Sequence, residues 1–162
     1  MGKVVNLAQG LLAFLPDLWE FSAESDDGLV VYSVNMKTTT CTAGLELLNN
    51  KSIPPKEFIS EYRYSLMLGL IDLGVHIQKV DPKHPDELIA TKEGLDGTVF
   101  HTFLPTSPVA HISAIYRSES DLIDLRRIRD SIIVNESEFT SSTGELVEIK
   151  VSEQWDRSTK SV

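Results

Sequence analysis

The hydrophobic positions of this chain alternate between a period of two and a period near 3.6, and each change of period predicts a new element. Apolar and β-branched residues fill positions 29–34, directly after the turn-forming run at 25–28. This pattern predicts a hairpin with a strand over 29–34. A short strand is expected at 19–21. The threonine run at 38–42 should extend β structure, and residues 44–50 should return the chain as a loop.

The first segment with helical period lies in the middle of the chain. It begins near the pair Pro54 and Pro55 and ends at Gly74, which predicts a helix of about twenty residues. Six apolar residues recur there at spacings of three and four: Phe58, Ile59, Tyr62, Leu66, Leu70 and Leu73. We expect this stripe to face the core.

The second segment with helical period begins after Ser118, which is typical of an N-cap, with Asp121 three residues later. Its apolar stripe is Leu122, Leu125, Ile128 and Ile132. The basic residues Arg126, Arg127 and Arg129 follow the acidic first turn, as the helix dipole favours. We expect these arginines to form a solvated helix face.

Between the two helices the period is two, and this predicts an antiparallel meander. Four short runs, separated by Pro, Gly and Asp, lie at 75–80, 88–91, 98–104 and 109–116. A further strand is expected at 147–151, where Val147, Ile149 and Val151 alternate with charged residues. The elements together predict an α+β fold, with an antiparallel sheet of about six strands flanked by two amphipathic helices. One domain should span residues 1–155, and residues 156–162 should form a frayed tail.

The apolar segment at 4–15 allows two interpretations. It is interrupted by Asn6, Gln9 and Gly10 and ends at Pro16, which favours one or two helical turns or an irregular lead-in. The alternative is an export signal or a lipid-facing segment, although the stretch is short and no small-x-small cleavage site follows. The single cysteine, Cys41, excludes an intrachain disulfide and adds no support for an oxidising compartment. We therefore expect a cytoplasmic protein that does not enter a membrane.

The composition places the chain among acidic globular domains. It has 162 residues, with 15 Lys and Arg against 24 Asp and Glu, and a formal net charge of -9. Nucleic-acid binding depends on neutralising phosphates with a surplus of basic residues, so a general nucleic-acid binder is excluded. An acidic surface instead favours a basic protein partner.

Histidines are the obvious candidates for chemistry. His76, His84, His101 and His111 have no metal-ligand spacing, so neither a metal nor a cofactor is expected. His101 and His111 lie on consecutive strands joined by a short loop, and they can face one another. The triplet from His111 to Ser113 resembles one half of the paired motif of two-histidine phosphoesterases, but the other half is missing because Phe103 follows at the equivalent position.

The order of elements, together with Leu15-Pro16-Asp17-Leu18-Trp19, resembles the Mog1/PsbP-like α/β/α sandwich over residues 13–134. This resemblance implies an adaptor, chaperone or binding module, and several bacterial members of the fold serve secretion systems. It carries no site residue over. The strand expected at 147–151 departs from the pattern of that fold.

These observations predict a non-catalytic, cytoplasmic protein-binding module, foremost a bacterial immunity protein that neutralises a basic toxin. A secretion-system chaperone is the alternative within that class, and a small enzyme or ligand binder using His101 and His111 is the alternative outside it. Exposed carboxylates raise the association rate with a basic partner. The expected docking residues are Glu24, Asp26, Asp27, Glu136 and Glu138.

Overall fold

The computed structural model describes residues 2–8, 11–24, 30–78 and 81–135. Within these ranges the chain forms ten strands and two helices. In chain order they are β1 Lys3–Ala8, β2 Leu11–Leu15, β3 Glu20–Glu24, β4 Val30–Lys37, β5 Cys41–Leu48, α1 Pro55–Asp72, β6 His76–Ile77, β7 Leu88–Thr91, β8 Thr98–Leu104, β9 Val109–Tyr116, α2 Glu119–Ser131 and β10 Ile133–Val134. The α+β class and the large antiparallel sheet are confirmed.

The large sheet has seven strands in the order β3-β4-β5-β9-β8-β7-β6, rather than the six expected in all. Its centre is the pairing of β5 with β9, which runs from Cys41 opposite Tyr116 to Leu48 opposite Val109. The prediction of a loop at 44–50 is therefore wrong, because β5 occupies most of that segment. Leu45 and Leu47 are fully buried on one face, while Gly44 and Glu46 on the other face obscured the alternation.

The two helices pack on opposite faces of this sheet. Leu122, Leu125 and Ile128 of α2 belong to the main core, which also contains Phe100 and Ile112. On the other face, Ile59 of α1 packs against a second set of buried residues: Leu48, Phe103 and Val109. Because neighbouring residues of a strand point to opposite faces, Phe100 and Phe103 of β8 contact different helices.

The segment at the N-terminus is a strand pair rather than helical turns. A second sheet has the order β1-β2-β10, so β2 lies between the first and the last described strands. Leu11, Ala13 and Leu15 are fully buried, and the residues between them are half-buried. Burial thus alternates with a period of two over these five residues, which is typical of a strand and not of a helix. Neither helix among the described residues is long and apolar enough to cross a membrane.

Helix α1 agrees with its prediction at both ends, but its apolar stripe does not end as expected. Pro55 occupies the first helical position, where a missing backbone N–H costs nothing. Ile59 is buried, whereas Leu73 follows the helix as its C-cap and is 66% exposed. The core stripe thus ends at Leu70.

Helix α2 begins as expected, since the Ser118 side chain accepts a hydrogen bond from the Ser120 backbone N–H. The side chain of Asp121 has a different partner from the one that a capping box would provide. It is buried and accepts hydrogen bonds from the hydroxyls of Thr38 and Thr40. Asp121 therefore ties α2 to the turn between β4 and β5.

The arginines of α2 are not a solvated face. Arg126 donates two hydrogen bonds to the buried carboxylate of Glu87, at 2.9 and 2.7 Å. Arg129 donates to Glu87 at 2.7 Å and to the hydroxyl of buried Thr102 at 2.9 Å. Only Arg127 meets the expectation of exposure. Glu87 precedes β7 and Thr102 lies in β8, so these hydrogen bonds connect α2 to the half of the large sheet that contains β8 and β7.

The strand expected at 147–151 and the tail at 156–162 lie outside the described residues, and both stay predictions. The domain limit at residue 155 is likewise a prediction.

Candidate functional site

The face of the large sheet that α1 covers also holds a patch of polar residues on its three middle strands. In the strand register, Glu46 of β5 lies opposite His111 of β9, and Ser113 of β9 lies opposite His101 of β8. These positions share one face, because residues two apart along a strand point the same way. Both histidines therefore lie on one face of the sheet and face one another, as the sequence allows.

Three of these side chains form a continuous hydrogen-bonded chain. Nδ1 of His101 lies 2.9 Å from Nε2 of His111, and Nδ1 of His111 lies 3.3 Å from a carboxylate oxygen of Glu46. The His111 ring is stacked on Phe103 with centroids 4.6 Å apart, and Tyr62 of α1 packs edge-on against it at 5.6 Å. Aromatic contacts on two sides therefore hold the His111 ring in place.

The electrostatics of these three side chains determine which of their atoms carry protons. The hydrogen bond with His111 lowers the pKa of Glu46, so this carboxylate is ionised at neutral pH. Burial, together with repulsion from His111, lowers the pKa of His101 to about 4, so this ring is neutral. An ionised carboxylate only accepts hydrogen bonds, so Nδ1 of His111 must donate to Glu46. In the tautomer of His111 whose Nε2 accepts from Nδ1–H of His101, Nε2 of His101 keeps its lone pair.

Ser113 supplies a hydroxyl beside this chain. It is half-buried, and no hydrogen bond of the described residues engages its hydroxyl. Its neighbour on β5 is Gly44, where a Cβ atom would lie 3.7 Å from the Ser113 oxygen. A larger side chain at position 44 would cover the hydroxyl, and glycine leaves it open.

A shallow groove of about 340 Å³ runs along α1 next to this patch. Its lining is mainly apolar and consists of Tyr62, Ser65, Leu66, Gly69, Leu70 and Leu73. Tyr62 belongs both to the groove and to the surroundings of His111. Tyr62 is thus the groove residue that also contacts His111, whereas none of His101, His111, Ser113 and Glu46 lines the groove.

The outer side of α1 carries a second feature, an exposed apolar row. Tyr64, Leu68 and Ile71 are 58%, 46% and 52% exposed, and their spacing places them on one side of the helix. We call these three residues the α1 row. The exposed acidic residues Glu57 and Glu61 precede the row on the same side, and exposed Asp72 follows it.

The predicted docking carboxylates are mostly beyond the described residues. Glu24 is the last residue of β3, paired with Ser33, and nothing is described of its side chain. Asp26, Asp27, Glu136 and Glu138 lie outside the described ranges. Their role in docking stays a prediction.

Sequence reasoning missed Glu46, Tyr62 as a contact of His111, and the α1 row. Glu46 was hidden by the predicted loop, although its alternation with Leu45 and Leu47 was a usable signal. The row recurs at intervals of four and three, as a core stripe does. A helix with two such stripes indicates one face for the core and one for another surface.

Cys41 is a buried free cysteine. Burial, reinforced by the nearby Asp121 carboxylate, raises the pKa of the Cys41 thiol to about 12, which makes it inert as a nucleophile. No group of three or more potential ligands for a metal ion occurs in the described part of the chain.

No protein-family model matches the sequence, and no curated protein matches it.

Proposed function

We propose that this protein is a cytoplasmic protein-binding module that recognises a basic protein, most specifically an immunity protein that binds and neutralises a cognate toxin. The observation that carries the proposal is the α1 row. Large apolar side chains that are half exposed on adjacent turns are typical of interaction sites, because their burial against a partner removes apolar surface from water. The Mog1/PsbP-like sandwich is part of the same proposal, because adaptors and binding modules are common in that fold.

The acidic residues around the α1 row indicate which kind of partner binds there. Glu57, Glu61 and Asp72 flank the apolar centre, and the whole chain carries -9. A second copy of this chain would bring the same charge to the contact. The residues after Asn135 are also acidic, with six Asp and Glu against three Lys and Arg. A basic partner whose docking segment has an apolar centre complements the surface best.

The experiment is to identify and reconstitute the complex. The tagged protein is isolated from its native host, the stoichiometric partner is sequenced, and the recombinant partner is titrated by calorimetry. We expect a partner with a surplus of Lys and Arg. Joint substitution Leu68→Ser and Ile71→Ser should weaken binding about 10- to 1000-fold, as for the central residues of an interface.

A matched control is available on the other helix. Ile123 of α2 is 58% exposed, as Tyr64 is, but lies on the opposite side of the sheet. The substitution Ile123→Ser should leave the affinity unchanged. Equal losses in both variants, or none in the α1 variant, would contradict docking on α1. A host that yields no stoichiometric partner would contradict the binding function itself.

The immunity role and the chaperone role predict different consequences of binding. An immunity protein abolishes the activity of its partner in the complex. A chaperone instead keeps its partner soluble before export, and the partner's activity returns when it is released. An assay of the isolated partner with one equivalent of this protein separates the two roles.

A further inference from the structure

Helix α1 is covered by the rest of the chain much less than its apolar sequence would lead one to expect. Three of the four large apolar residues of α2 are buried, and Ile123 is the exception. The large apolar and aromatic residues of α1 are Phe58, Ile59, Tyr62, Tyr64, Leu66, Met67, Leu68, Leu70 and Ile71. Of these, Ile59 alone is buried. A helix that is apolar around most of its circumference is typical of one buried between two surfaces. The sheet is one of these surfaces, so a second one is expected.

The groove along α1 lies on a different side of the helix from the α1 row. Ser65 and Gly69 are its smallest lining residues, and they are about one helical turn apart. A Cβ atom at Gly69 would have no neighbouring atom within 4 Å. Leu73, at the end of the groove, is 66% exposed. The groove therefore has space for side chains of another element and apolar surface for them to contact.

Two exposed carboxylates border this groove. Glu61 precedes Ser65 by four positions, and Asp72 follows Gly69 by three, so each acid is a neighbour of a groove residue on the helix surface. Neither carboxylate has an ion-pair partner among the residues that the structure describes. Both are available to the Lys and Arg residues of a partner.

We propose that the groove binds a basic amphipathic α-helix of the partner, which packs along α1 from Tyr62 to Leu73 and places Lys and Arg over Glu61 and Asp72. This inference rests on the proposed function and names the part of the partner that docks. The flank of a helix offers no free backbone N–H or C=O group, so a docked strand would leave its own backbone unpaired. A helix pairs its backbone internally and can be buried there.

Charge distinguishes this occupant from the two that belong to the same chain. A second copy would bring its own Glu61 and Asp72 to the contact, together with a net charge of -9. Residues 136–162 carry six Asp and Glu against three Lys and Arg. Like charges at a contact oppose association, so neither complements the border of the groove as a basic helix does.

The test uses the full chain and a fluorescein-labelled peptide of 18 residues, the length of α1. The peptide has Leu and Ala on one helical face and Lys on the other. Fluorescence anisotropy measures its binding at about 0.15 M salt, where long-range attraction is screened. We expect saturable binding of one peptide per chain. A peptide with Glu in place of every Lys should bind about tenfold more weakly or worse.

Three variants test the position of the peptide. Gly69→Trp fills the groove, and it should weaken binding about tenfold or more. Ile123→Trp is the matched control, because it places the same indole at an exposed position of α2 on the other side of the sheet. It should leave binding unchanged. Joint substitution Glu61→Gln and Asp72→Asn should weaken binding about two- to tenfold and reduce its dependence on salt. The thermal unfolding midpoint of each variant should stay near that of the wild type.

A benzophenone on the apolar face of the peptide locates the contact, and we expect its cross-link on α1 between Tyr62 and Leu73. Wild-type protein that does not bind the peptide, a Gly69→Trp variant that binds it equally well, or a cross-link outside α1 would each overturn the proposal. A dimer in sedimentation that Gly69→Trp dissociates would also overturn it, because a second copy would then occupy the groove.

Failure of this inference differs from failure of the proposed function. A natural partner that needs the α1 row but binds the Gly69→Trp variant with unchanged affinity would contradict the docked helix and leave the binding function intact. A host without a stoichiometric partner would contradict the binding function, whatever the peptide does.

Discussion

Among the described residues, the buried polar residues His111, Asp121 and Glu87 each stand in a hydrogen-bonded cluster, and each cluster has a different partner chemistry. His111 is linked to Glu46 and His101, Asp121 to two threonines, and Glu87 to two arginines. A buried polar group costs free energy unless it is paired, so each cluster restricts how its elements can pack. The clusters were not predictable individually, because their members are far apart in sequence and no spacing rule connects them.

The pKa of His101 makes stability depend on pH. The folded protein has a pKa of about 4 for this ring, against an ordinary value of 6.5. Above pH 6.5 the ring is neutral in both states, so its contribution is constant. Between pH 6.5 and 4 the unfolded chain binds the proton more readily, so stability falls by up to about 3 kcal/mol and then levels off. Urea unfolding across this range measures the loss.

Two variants decide whether His101 causes that loss. His101→Gln removes the titrating ring and should flatten the decline between pH 6.5 and 4. His76→Gln changes an exposed histidine and should leave the slope as in the wild type. An unaltered slope in the His101 variant would show that another group is responsible.

Glu87 is expected to be the most sensitive charged residue. Burial opposes its ionisation, but hydrogen bonds from Arg126 and Arg129 outweigh this and lower its pKa. Glu87→Ala leaves Arg126 without its counter-charge and leaves Arg129, which is only 13% exposed, with Asp130 as its remaining carboxylate partner. We expect a loss of about 3 kcal/mol in the free energy of unfolding. Glu93→Ala, at an exposed position, should change it by less than about 0.5 kcal/mol, and similar losses in the two variants would refute the assignment.

At the scale of elements, the helices were predictable and strand β5 was not. Proline placement and spacings of three and four located α1, and the serine N-cap located α2. Strand β5 was missed because Gly44 and Glu46 stand on the face where the polar patch lies. The two residues that interrupt the hydrophobic pattern of β5 therefore lie at the candidate site.

The two sides of α1 should respond differently to truncation. Ile59 is 2% exposed and contacts the sheet, so Ile59→Ala should cost about 2–4 kcal/mol. Leu68→Ala removes similar atoms from the α1 row and should cost less than about 1 kcal/mol. Chemical denaturation of both variants measures the difference. A large loss for Leu68 would mean that the row is part of the fold rather than a free surface.

At the scale of the whole molecule, the sequence predicts the net charge but does not predict how the strands are ordered. The order of strands in the large sheet was not deducible from periodicity, because pairing between distant strands depends on the complete core. The charge of -9 was available from the sequence, and it predicts the kinetics of binding. Complementary potentials accelerate association and are screened within about 10 Å at 0.1 M salt.

We therefore expect salt to slow association with the basic partner and to change dissociation much less. Raising the salt concentration from 50 to 500 mM should reduce the association rate about tenfold or more, as measured by stopped flow. Joint charge reversal of Glu24, Asp26 and Asp27 to Lys should slow association at low salt and leave the unfolding midpoint nearly unchanged. If neither treatment alters the rate, docking through Glu24, Asp26 and Asp27 is wrong, whereas docking on the α1 row is tested separately by its own variants.

The position of β2 between β1 and β10 has a consequence for biosynthesis. The Ser131 hydroxyl accepts a hydrogen bond from the Phe14 backbone N–H, from 117 positions away in the sequence. While the ribosome is still synthesising α2, the buried row of Leu11, Ala13 and Leu15 has no α2 to cover it. Because β10 pairs with β2, the final structure can form only when β10 has left the exit tunnel. Closing so long a loop adds an entropic cost. The β2 segment is thus enclosed only after α2 and β10 have been synthesised, and the nascent chain exposes this segment to chaperones until then.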